Sequence, residues 1–66
     1  MVIVMEIQVG ETVSTIVESY ADPFQAESKF HQILTAAAVS SVPKHSAVIL
    51  NDEGQMMKHE CYIHEG

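Results

Sequence analysis

From Val2 to Val9 the chain alternates: Ile3, Met5, Ile7 and Val9 fall on one parity, while Glu6 and Gln8 interrupt the other. That period of two predicts a β-strand. Gly10-Glu11 breaks the pattern, and Thr12 to Tyr20 resumes it, with Val13, Thr15 and Val17 on one face and Ile16 and Tyr20 on the other. The two segments predict a first hairpin. Beyond Asp22 the spacing changes to threes and fours, through Ala26, Phe30, Ile33, Leu34, Ala37 and Ala38. An amphipathic helix follows from that spacing. Its start is well marked: Asp22 can cap the first free amides, Pro23 suits the first helical position, and Gln25 stands where a capping box wants it. Pro43 cannot continue a helix and drives Val42 to an extended conformation, so the helix should run from Pro23 to about Ser41. His45 to Leu50 reads as a short strand, and Gln55 to His64 returns as its partner. Between them Asn51-Asp52-Glu53-Gly54 supplies a hairpin turn in which Gly54 takes the left-handed conformation.

The expected fold is therefore α+β with the order ββαββ: a single antiparallel sheet with one amphipathic helix packed across one face, in one domain over residues 1–66. A helix from Pro23 to Ser41 would be about 28 Å long at about 1.5 Å per residue. Such a helix would overhang strands of six to eight residues. Its second half is crowded with small residues, Ala36, Ala37, Ala38, Ser40 and Ser41, which permit close approach of a sheet or another helix. Excess apolar helix surface and an exposed strand edge are where a partner would bind. The chain is thus expected to form a homodimer or larger ring through the helix or a sheet edge. Phe24, Phe30, Leu34, Tyr62 and Ile63 are the candidate anchors, because large apolar and aromatic side chains dominate interface energies.

Length sharpens this expectation. A chain of 66 residues has a marginal core, and natural domains of this size add disulfides, a metal or self-association. Cys61 is the only cysteine, which rules out an internal disulfide. Nine acids stand against three lysines and no arginine, for a formal charge of −6. That balance argues against nucleic acid and anionic membranes as partners. The four histidines would offset part of the charge below about pH 6.5. The apolar start Met1 to Met5 has no basic region and meets Glu6, so it does not read as a signal peptide. No apolar run approaches the roughly 18 residues of a membrane span. A lone thiol without an export signal fits a reducing cytoplasm.

Three constellations could carry chemistry. If the turn pairs Asn51 with Gln55, then Ile49 faces Met57, Ala47 faces His59 and His45 faces Cys61. His45, His59 and Cys61 would then share one face, and imidazole and thiolate are the ligands zinc prefers. A symmetry mate, His31 or water would supply the fourth ligand. The plainer reading is a partly exposed sheet face with a free thiol, and a one-residue shift in pairing would separate His45 from Cys61. The same residues could be written as a nucleophile and its base, but no glycine-rich oxyanion loop accompanies them. Ser46 beside His45 would point to the opposite face. Glu27 and His31 form an i, i+4 pair on a solvated helix face. Finally, the acids Glu6, Glu11, Glu18, Asp22, Glu27, Asp52, Glu53, Glu60 and Glu65 could imitate a phosphate array, although their dispersal suits a solvating surface better.

The run KFHQILTAAAVSSV from Lys29 to Val42, followed by HSAVILNDEG from His45 to Gly54, resembles short uncharacterised proteins of Gram-positive bacteria and their prophages. The similarity extends over roughly the C-terminal two-thirds of the chain and is one of fold. It implies a small accessory or structural protein of phage origin and transfers no activity. The resulting expectation is a non-enzymatic protein-interaction or structural module acting as a homo-oligomer, with no cofactor, a protein as partner and the cytoplasm as its location. Its alternatives are a small transition-metal-binding protein and an acidic inhibitor mimicking nucleic acid.

Overall fold

A computed structural model describes residues 1–64; Glu65, one of the acids named above, lies outside them. Four strands, β1 (Val2–Val9), β2 (Val13–Tyr20), β3 (Lys44–Asn51) and β4 (Met56–Ile63), and one helix, α1 (Pro23–Ala38), follow the order ββαββ. The strands form one antiparallel sheet in the order β2-β1-β3-β4, and α1 lies across it. β1 and β3 are central, and β2 and β4 are the edges. Because β2 and β3 are both antiparallel to β1, they run parallel to each other. The segment β2–α1–β3 is therefore a crossover connection that steps over β1.

The helix begins where its residues dictate. Asp22 is extended (φ −96°, ψ 118°) and its Oδ1 accepts the Phe24 N–H at 2.9 Å, with Pro23 entering as the first helical residue. The helix ends at Ala38, three residues before Ser41. There Val39 leaves helical geometry, and the Ser40 hydroxyl accepts the Val42 N–H at 3.0 Å. A β-branched residue followed by two serines offers the backbone an alternative to helical bonding. At 16 residues, α1 is about 24 Å long, against about 26 Å for an eight-residue strand. The helix thus matches the sheet in length, with Phe24 in its first turn and Val39 at its C-cap left exposed.

Val4, Ala26, Phe30, Ile33, Ala47 and Ile49 form the core, with Val2, Tyr20 and Leu34 packed against it. Ala26, Ala37 and Ala47 are fully enclosed, and their small side chains let helix and sheet approach closely. Ala36 and Ala38 instead face solvent.

The β3–β4 turn is closed by Gly54 N–H to Asn51 O at 3.1 Å and Asn51 N–H to Gln55 O at 3.0 Å. The Asn51 side chain accepts from the Glu53 and Gln55 amides, both at 2.9 Å. Gly54 has φ 82°, as the turn residues predict. Immediately after it the pairing is irregular: Leu50 opposes Met56 but Ile49 opposes Lys58, leaving Met57 without a partner. This β-bulge sets the register of the rest of β4.

Two substitutions test these local determinants. Asp22→Ala should lower unfolding free energy by about 1 kcal/mol through loss of the cap. Gly54→Ala, forced into left-handed backbone, should cost about 1–2 kcal/mol. Both are read as lower urea midpoints at unchanged m-value.

Candidate functional site

Cross-strand pairing assigns every strand residue to a face. Beneath the helix lie the rows Tyr20–Val2–Asn51, Glu18–Val4–Ile49–Lys58, Ile16–Glu6–Ala47–Glu60 and Ser14–Gln8–His45–Tyr62. The opposite face carries Ser19–Ile3–Leu50–Met56, Val17–Met5–Val48–His59, Thr15–Ile7–Ser46–Cys61 and Val13–Val9–Lys44–Ile63. The helix therefore covers the parity of β1 that includes Glu6 and Gln8, and the uninterrupted apolar parity stays open. Crossovers between parallel strands have a strongly preferred hand. That preference constrains where the helix lies independently of which face is more apolar.

Val13, Val17, Met56 and Ile63 on the open face are 57–66% exposed. Ile3, Met5, Ile7, Val9, Val48 and Leu50 are shielded only in part. No carboxylate stands on this face among the described residues: Glu6, Glu18 and Glu60 point to the helix side, and the others sit on the helix or in connections. Apart from the Cys61 thiol, only Lys44 and His59 there are ionisable. Contiguous apolar areas of this kind usually mark interaction sites.

The proposed metal ligands do not meet. The turn pairs Asn51 with Gln55 as expected, but the bulge at Met57 shifts all later pairs by one. His45 opposes Tyr62 on the helix side, whereas His59 opposes Val48 and Cys61 opposes Ser46 on the open face. Among the described residues no group of three or more His, Cys, Asp or Glu side chains could hold a metal ion. The same separation removes His45 as a base for Cys61. His31 lies 3.6 Å from Glu27 on the exposed helix surface, as its i, i+4 spacing suggests.

The five candidate anchors also part company. Phe24 is 81% exposed at the helix start, whereas Phe30 is 5% exposed in the core and cannot serve as a surface anchor. Leu34 packs against that core. Tyr62 lies on the helix side, stacked on His64, and only Ile63 belongs to the open face.

A buried polar group escaped the sequence reading. His45 Nε2 is 2.6 Å from Glu6 Oε2, and Gln8 Nε2 donates to the same oxygen at 3.1 Å. The two paired side chains are only 5% and 15% exposed. The carboxylate oxygen accepts, so Nε2 of His45 carries the donated proton; its Nδ1 is buried without a hydrogen-bond partner. This pair braces β1 against β3 near the C-terminal end of the helix. The signal for it was Glu6 and Gln8, which interrupt the parity shared by Val2 and Val4. At the same end, the His64 ring donates to Ala37 O at 2.8 Å and the His64 N–H to Pro43 O at 2.7 Å. The Ala37 carbonyl, which also accepts the Ser40 N–H at 3.2 Å, thus ties the end of the helix to the end of β4.

Beside this group a polar cleft of about 430 Å³ opens between the β1–β2 turn and the Ser41–Pro43 segment, lined by Gln8, Glu11, Thr12, Ser14 and Ser41 among others. Its lining offers hydroxyls, an amide and the Glu11 carboxylate but neither imidazole nor thiol. Farther along, the Tyr20 hydroxyl donates to Glu18 at 2.7 Å and Lys29 Nζ lies 3.3 Å from the same carboxylate. Tyr20 first and Lys29 second hold the Glu18 carboxyl below its ordinary value, while Glu18 pushes the Tyr20 phenol up. The Glu18 contribution is present above the usual carboxylate range and fades as pH falls; the Tyr20 contribution fades at high pH.

Compared with protein-family models, curated proteins and solved structures, the chain finds no match.

The buried pair yields a double-variant prediction. His45→Leu alone takes from the part-buried Glu6 carboxylate its shorter hydrogen bond and leaves only that from Gln8, and should cost roughly 1–3 kcal/mol. Glu6→Leu combined with His45→Leu should recover most of that loss, read by thermal unfolding under circular dichroism.

Proposed function

We propose that this protein is a non-enzymatic protein-interaction or structural module that acts as a homo-oligomer. The observation that carries this reading is the apolar sheet face left outside a core of few side chains. A chain this short gains little from its own interior, and further apolar burial is available only by association. Lys29 and Lys58 are engaged with Glu18 and Glu27, which leaves little free positive charge for nucleic acid. The described acids are spread over the helix side and the connections, so solvation accounts for them better than imitation of a phosphate array. The reading suits an accessory role of the kind that the resemblance to prophage proteins implies. A reducing cytoplasm would keep the Cys61 thiol free.

Light scattering behind size exclusion, at pH 7.5 and pH 5.5 with and without chelator, tests the reading. A defined oligomer indifferent to chelator is expected. A monomer at every concentration overturns it, and dissociation by chelator would replace it with a metal-dependent assembly.

A further inference from the structure

We propose that the occupant of the open sheet face is a second copy of this chain, packed sheet to sheet about a two-fold axis. The assembly is then a four-layer sandwich of helix, sheet, sheet and helix. This rests on the homo-oligomer reading and adds to it the surface and the geometry.

Area favours this occupant. Four strands of eight residues present about 26 Å by 19 Å, or about 500 Å² in projection, at the usual rise and strand spacing. Side-chain relief raises the accessible area toward the roughly 800 Å² per partner of a stable interface. Charge favours it as well. The chain carries −6, yet no described acid lies on this face, so two copies can close over it while their carboxylates remain on the outer layers. Charge is kept to the periphery: Ile7, Met5 and Val48 are near the middle on the central strands, whereas Lys44 is at a strand end and His59 on an edge strand. Depletion of charged residues at the centre is usual in such contacts.

Other surfaces fit a second copy less well. The exposed side of the helix, apart from Phe24 at its start and the small Ala36 and Ala38, is polar, with Glu27, His31 and Lys58 already paired across it. The β4 edge carries Lys58, His59 and Glu60 in succession, a charged run of the kind that guards an edge against pairing. Aligned sheets would pack about 10 Å apart at a crossing of about 30°.

The test uses the full chain in analytical ultracentrifugation. Met5→Lys places a charge at the centre of the face, where a folded monomer tolerates it and a dimer must bury it. The dissociation constant should rise at least about 100-fold, with helical circular dichroism retained. Should Met5→Lys unfold, Thr15→Lys on the same face gives the same readout, since it removes no large apolar side chain. Ile16→Lys, one residue away but on the helix side of β2, should leave the constant within about threefold. An oligomer indifferent to both Met5→Lys and Thr15→Lys overturns the face assignment and leaves the homo-oligomer reading standing. A wild-type monomer across the concentration range overturns both, including one that uses this face to bind a different protein.

Discussion

A sheet has two faces, and this chain has one helix with which to cover them. The helix belongs to the crossover between the parallel strands β2 and β3, so its position is tied to the path of the chain as well as to the hydrophobicity beneath it. The consequences run through the whole molecule. Val4, Ala47 and Ile49 become core with Val2 packed against them, His45 becomes buried beside a part-buried Glu6, and the Ile3-Met5-Ile7-Val9 stripe is left outside.

The covered side is a compromise between packing and polarity. In the middle of α1, Phe30 and Ile33 rest with Val4 and Ile49 in an ordinary apolar core. Toward its end the sheet offers Glu6, Gln8 and His45, and burial there demands hydrogen bonds. The 2.6 Å contact of His45 with Glu6 answers that demand and links the two central strands. A buried charged group is weak evidence of stabilisation but does resist misregistration, since sliding β3 along β1 would separate the partners.

What could be read from the residues was local. The bounds of β1, the capped helix start at Asp22 and the Gly54 turn follow from neighbours in sequence, and the structure has them where expected. The helix end was three residues short because Val39 and Ser40 compete with helical bonding, a weaker signal than Pro43. The separation of His45 from Cys61 followed from one unpaired residue, Met57, for which composition gives no sign. Glu6 and His45 are 39 positions apart, and no local pattern joins them. The open face was legible as a stripe in β1, but which stripe the helix would cover depends on chain topology.

The bulge at Met57 decides which face each later residue of β4 takes. Substitution at an exposed, unpaired position changes little, and loss of that residue alone would make the pairing continuous with every later partner kept, whereas drawing Met57 into the ladder opposite Ile49 would turn the rest of the strand over. His59, Cys61 and Ile63 would move under the helix, and Glu60 and Tyr62 would come out. Along a lineage of such chains, point changes at Met57 and even its loss would be tolerated, while changes that close the bulge with Met57 retained would be purged.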